Sequence, residues 1–221
     1  MKSLKASLDR KQIFVLDALR YSLALERHAF GQLTRKLRRI GDLPPTSRPS
    51  DALAISTLAS AWLLIDILHR VRGLLRQVKG LPQKTPGVQV FLRGTSDAES
   101  FRHFFQHLDS SIAKLHGTSY PILGVLSWVT RDPAWSCSLT FGHWTKGTHS
   151  HSMVVDTHTT KFVASIQLDA GTSSLELARA HAAVRALSLF LEKWLQSANM
   201  LGDKVVAPSI MRFGIAFRTV A

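Results

Sequence analysis

The chain has 221 residues, 45% hydrophobic and 19% charged, with a formal net charge of +13. That is enough apolar material for one sizeable core, and it excludes general disorder. The charge favours polyanionic partners, with nucleic acid ahead of an anionic membrane surface. The single cysteine, Cys137, excludes an internal disulfide and any cysteine-built zinc site.

The opening MKSLKASLDRKQ lacks the apolar core of a signal peptide, so a cytoplasmic location is expected. A first helix is predicted over 9–40. Leu16, Leu19, Leu23, Phe30, Leu33, Leu37 and Ile40 fall on one seam at alternating three- and four-residue steps. Glu26 breaks that seam, and a carboxylate on a core face needs a partner; Arg70, Arg102 and His69 are the candidates. The helix ends in a basic cluster, Arg35, Lys36, Arg38 and Arg39. Cations suit a helix C-terminus, and the same cluster makes the best phosphate-binding patch in the chain.

The proline-rich stretch DLPPTSRPS cannot continue a helix. A second helix is predicted from the Ser50–Asp51 cap to about residue 78. Leu58, Trp62, Ile65 and Leu68 face inward. Its most apolar run, 52–65, is stopped by Asp66, His69 and Arg70. That run is shorter than the ~20 residues needed to cross a bilayer, so a buried helix and no membrane partner are expected. Asp66 and Arg70 are spaced for an ion pair, and Asp66 and His69 for a polar cluster against a neighbouring helix. The stretch VQVFL reads as a small strand. A third helix is predicted from a capping box, Ser96 and Glu99, to Gly117. Its seam is Ala98, Phe101, Phe105, Leu108, Ile112 and Leu115.

The pattern then changes to β-branched and aromatic runs: ILGVLSWV, WSCSLTFG, HSMVVDTH and KFVASIQL. A fourth helix follows, capped near Thr172 to Ser174, with Leu177, Ala180, Val184, Leu187, Leu191 and Trp194 as its seam. The tail predicts a further strand over 205–221 that returns to the sheet. The fold class expected is α+β, as a single domain over 1–221. A four-helix up-and-down bundle (9–116 with 173–197) carries an antiparallel β-meander (119–170) between helices three and four.

The third helix contains FRHFFQHLDSS. At about 100° per residue, Arg102 flanks the apolar seam in a strip with Glu99, Gln106 and Asp109. His103 and His107, four apart, stack on the outer face. An arginine followed by a polar residue and then a histidine five positions on, in a compact helical bundle, resembles the HEPN superfamily. The acidic Asp109 and the DILHR segment of the second helix narrow the likeness to bacterial HEPN-like proteins. The resemblance covers the helices and leaves out the β-region. It implies metal-independent RNA cleavage of a toxin or defence type, with no cofactor. Two subunits would share one cleft, and a protein antitoxin-type partner is in keeping with that group. By that pattern His107 is the general acid or base, Arg102 holds the phosphate, and His103 orients the site or shares in proton transfer. Imidazole, with an ordinary pKa of about 6.5, and a planar guanidinium suit those tasks. Glu26, Asp66, His69, Arg70, Glu99 and Asp109 would support the site. The alternative is a non-catalytic helical module that dimerises or binds RNA or a protein.

Two further features could carry function. His143, His149, His151 and His158, with Asp156, lie on a hairpin and could bind zinc or nickel. No spacing matches a closed site, so a polar hairpin is preferred. Trp128, Trp135, Phe141 and Trp144 could stack bases, although such aromatics more often fill a core.

Overall fold

A computed structural model describes residues 2–5, 7–44, 46–107, 121–130, 135–142, 149, 154–156, 161–162 and 165–205, with 155, 156, 161, 162 and 205 described by backbone alone. The fold is α+β. Three long helices, α1 (Arg10–Gly41), α2 (Asp51–Leu75) and α5 (Leu177–Ser197), are joined by the short α3 (Pro86–Gly94) and α4 (Asp97–Gln106). The strands are β1 (Lys2–Leu4), β2 (Gly124–Val129), β3 (Ser136–Phe141), β4 (Val155–Asp156), β5 (Lys161–Phe162), β6 (Ile166–Ala170), β7 (Ser173–Glu176) and β8 (Leu201–Val205).

α1 starts where Asp9 accepts a hydrogen bond from the Gln12 amide at 2.8 Å, and it ends at Gly41 before the proline-rich turn. Such a cap is worth about 1 kcal/mol. Five of its seven predicted seam residues, Leu16, Leu19, Leu23, Leu33 and Leu37, are at most 2% exposed, while Phe30 and Ile40 are half-buried against the core. α2 starts on a Ser50 cap and runs back along α1. At one end Lys36 reaches Ser56 and Ser60, and at the other Lys79 reaches Asp9 and Gln12. α5 is antiparallel to α1, since Arg20 meets Glu192 while Glu26 meets His181. α4 returns along α2, and α3 packs on α5. Gly87 is required at that last contact, because a Cβ there would lie 2.9 Å from the Phe190 ring.

α2 is apolar beyond the expected stop at Asp66. Ile67, Leu68, Val71 and Leu75 are buried on its second half. Over an 18-residue window its mean hydropathy is 1.7, with 39% of that window buried, so by length and composition it could cross a membrane. Here it lies against α1 and α4, and its polar Thr57, Ser60 and Arg72 are buried.

Several local expectations change. VQVFL is helical, in α3, with Pro86 in the first turn and Val88 and Phe91 fully buried on one face. Helical spacing served the core better than β propensity. The Ser96–Glu99 capping box does not form. Ser96 is itself in helical conformation and its hydroxyl bonds the Arg93 carbonyl, while the Glu99 carboxylate is drawn to arginines of α2. Within the described residues α4 ends at Gln106. Leu108, Asp109, Ile112, Leu115 and Gly117 lie outside them. Phe105, expected on the seam, is 44% exposed.

The predicted cap of the last helix, Thr172 to Ser174, is instead a hairpin. β6 and β7 pair antiparallel with Ala170 opposite Ser173. Gly171 takes φ +60 there, and a Cβ would stand 3.1 Å from the Phe104 ring. α5 begins after Glu176, which makes no side-chain cap bond. The sheet order is β3-β2-β6-β7, with β4-β5 as a separate ribbon. This is not a sequential meander, because β2 lies between β3 and β6 while β4 pairs with β5 in a separate ribbon. Leu126, Trp128, Leu168, Ala170 and Leu175 turn one face of this sheet into the helical core. The predicted strand over 205–221 lies outside the described residues apart from Val205. That residue belongs to β8, which pairs with β1 and not with the larger sheet.

Candidate functional site

Phe101 anchors α4. It is fully buried, its ring edge-on to Trp62 of α2 at 5.8 Å. The neighbouring positions therefore project along the α2–α4 seam and out of it. Arg102 lies 31% exposed on the flank, as its helical position predicts. Its Nε is 3.6 Å from Asp66 Oδ1. The Gln106 amide oxygen, in the orientation that satisfies both ends, accepts from Arg102 Nη2 and Nε at 3.0 and 3.2 Å. Asp66 Oδ2 also accepts from Arg70 Nη2 at 2.8 Å, the ion pair expected one turn away. His69 completes this group. Among the described residues its buried Nδ1 has no hydrogen-bond partner. Burial, and then the positive charge of Arg102, hold its pKa below the ordinary histidine value.

His103 and His107 are exposed on the outer side, their ring centroids 4.6 Å apart. His107 stands just past the helix, with φ −109° and ψ 23°. Its backbone N–H still bonds the His103 carbonyl at 3.1 Å, which keeps the rings one above the other. Asp109 lies outside the described residues.

Glu99 does not pair with Arg102. Its Oε1 accepts from Arg76 Nη2 at 2.8 Å and forms an ion pair with Arg72 Nε at 3.2 Å, without the alignment of a hydrogen bond. Arg72, then burial opposing it, then Arg76 set its carboxyl pKa, with the net effect downward. Arg72 was not anticipated as a structural centre. It is 7% exposed and also donates to the Leu92 carbonyl and Thr95 hydroxyl, tying α2 to the α3–α4 turn. The available signal was its spacing, four residues after Leu68 and three before Leu75, which puts it on the buried face of α2.

Glu26 is the largest correction. None of Arg70, Arg102 and His69 is its partner. It faces α5, where His181 Nδ1 lies 3.1 and 3.2 Å from its two carboxyl oxygens. Glu26 is 1% exposed. Burial pushes its pKa up to about 8 despite the charge of Arg27. Burial likewise lowers His181, helped by Arg185 and Arg27. Phe30 stacks on the imidazole at 3.9 Å and 3°. His181 sits beside Ala180 on the flank of the last helical seam. Its signal was the unmet demand of Glu26 for a polar group on a facing helix.

The basic cluster is split. Arg35, Arg38 and Arg39 are exposed. Lys36 is not available to a ligand in the same way, because its ammonium donates to the Ser56 carbonyl at 2.7 Å and the Ser60 hydroxyl at 2.8 Å. Arg35, Lys36 and Arg39 border a cleft of about 410 Å³ together with Ser50 and Ser56 at the start of α2. Of the aromatics, Trp128 is buried and Trp135 is 57% exposed; Trp144 lies outside the described residues. Of the hairpin histidines only His149 is among the described residues. Within those residues no group of three His, Cys, Asp or Glu side chains could hold a metal.

No protein-family model, curated protein or solved structure matches the chain.

Proposed function

We propose that the chain is a HEPN-like, RNA-directed protein that cleaves RNA without a metal, of a toxin or defence type. The observation that carries this reading is the Arg102 guanidinium, held between Asp66 and Gln106, beside two exposed imidazoles 4.6 Å apart. In this reading α3 and α4 together form the third member of a bundle with α1, α2 and α5. One imidazole takes the proton of a ribose 2′-hydroxyl, and that oxygen attacks the adjacent phosphorus. The bond from phosphorus to the 5′-oxygen breaks, and the other imidazole, protonated, gives its proton to the leaving oxygen. The products are a 2′,3′-cyclic phosphate and a 5′-hydroxyl end. Arg102 stabilises the charge that builds on the phosphoryl oxygens. Arg35, Arg38 and Arg39 draw the backbone of the substrate from another part of the surface.

The protein acts in the cytoplasm as a homodimer whose α4 faces meet, and a protein antitoxin-type partner can cover the same face. The exposed Phe105, its ring 4.4 Å from that of Trp62, supports contact at this face and is also what favours a second reading, a non-catalytic helical binding module. Incubating RNA with the purified chain in EDTA decides between them. Cleavage that is lost in Arg102→Ala and in His107→Ala is expected. RNA left intact by the parent chain, or cut equally by both variants, overturns the catalytic reading.

A further inference from the structure

Glu26 and His181 are not used by the chemistry above, and their surroundings point elsewhere. The imidazole is fixed on two sides, by the Glu26 carboxyl at its Nδ1 edge and by the Phe30 ring on its face. The side chain is nevertheless 19% exposed. With Nδ1 turned inward, the opposite ring nitrogen is the one left to meet a ligand. A carboxyl group as deeply buried as Glu26 is held in its neutral form and donates its O–H to Nδ1. The neutral imidazole then carries its own proton on Nε2, as an outward-facing donor.

Two guanidinium groups accompany that donor. Arg27 follows Glu26 on α1, and Arg185 lies one turn beyond His181 on α5. Both are exposed, and neither makes a hydrogen bond or ion pair within the described residues. Arg185, four residues on from His181, shares its face of α5, and Arg27 lies one turn before Phe30, whose ring stacks on the imidazole. The two arginines therefore flank the same imidazole from two different helices.

We propose that His181 Nε2, Arg27 and Arg185 form a binding site for a phosphate group, with Glu26 as an internal proton store. The phosphate oxygen accepts from Nε2–H and from the two guanidinium groups. As negative charge arrives, the Glu26 proton passes to Nδ1. The buried pair becomes a carboxylate beside an imidazolium, and the protein takes up no proton from solvent. The site is separate from the α4 cluster and stands whether or not that cluster cuts RNA.

The test follows the His181 ring resonances by NMR while the full chain is titrated with inorganic phosphate and, separately, with a short oligouridylate. A saturable shift with either is expected. Inorganic phosphate alone marks a free phosphate or monoester ligand, and the oligonucleotide alone marks a backbone diester. The double variant Arg27→Ala/Arg185→Ala, both positions being on the surface, should bind about tenfold or more weakly. Glu26→Gln should keep the fold but also bind more weakly, since its amide cannot release a proton to the ring. No saturable shift with either ligand overturns the proposal. So does an affinity unchanged in the double arginine variant, or an equal loss in Lys84→Ala, which removes a single exposed charge elsewhere.

Discussion

The Arg102 cluster and the Glu26–His181 pair both join an acid and a base across two helices, yet they obey different physics. Asp66 and Arg102 are 39% and 31% exposed, so water screens their 3.6 Å attraction. Glu26 is 1% exposed, so burial dominates there and drives both partners toward their neutral forms. The first arrangement keeps the Arg102 guanidinium partly exposed and the His103 and His107 rings exposed. The second locks an imidazole in one orientation and shields one of its nitrogens. The need of a core-face carboxylate for a partner suggested Arg70, Arg102 or His69 for Glu26, and the facing helix supplies His181 instead.

The contrast can be broken most sharply at α4. If it carries the chemistry, Arg102→Ala and His107→Ala should each lower RNA cleavage by about 10²- to 10⁴-fold with little change in melting temperature. A matching loss of stability would mean that these side chains hold the fold. Glu26→Ala has the opposite signature. It leaves His181 Nδ1 buried without its partner and should cost about 1–3 kcal/mol in denaturant unfolding.

The pH dependence of stability separates the two regions further. The folded pKa of Glu26, about 8, lies above its unfolded value of 4.5, so its contribution is complete below 4.5 and is lost as pH rises toward 8. His181 is shifted down from 6.5, so its contribution is complete above 6.5 and is lost as pH falls. The two slopes oppose each other below pH 6.5, and only that of Glu26 acts above it. Melting temperature should therefore fall between pH 6.5 and 8 in the parent chain, and this fall should vanish in Glu26→Gln. A fall that persists in the variant would place the titrating group elsewhere. The smallest effect is expected at Arg70→Ala, which removes an exposed i,i+4 pair worth only a few tenths of a kcal/mol. A loss above about 1 kcal/mol would show that Asp66 depends on Arg70 to hold Arg102.

Much of the candidate site was legible. The flank position of Arg102, the outward direction of His103 and His107, and the Asp66–Arg70 pair all follow from 100° steps along a helix. What failed was any statement about which helix lies opposite. Glu99 was placed beside Arg102 by spacing, but Arg72 and Arg76 of α2 offer it two cations. Lys36 was counted with the phosphate-binding cations, but α2 supplies the oxygens that engage it. Thr172 to Ser174 looked like a helix cap because such residues serve turns and caps alike. Pairing of β7 with β6 settles the matter in favour of a hairpin.

By itself, the amino-acid sequence determined the α+β class, the extent of α1, the start of α2 and the leucine seams of the long helices. Local periodicity and capping chemistry specify these without reference to distant parts of the chain. The tertiary structure alone decided that VQVFL is helical, that β2 sits between β3 and β6, and that Glu26 meets His181. Each of these depends on burial against an element far away in sequence. No local pattern encodes which element that will be, because many neighbours satisfy an apolar or polar face equally until the core closes.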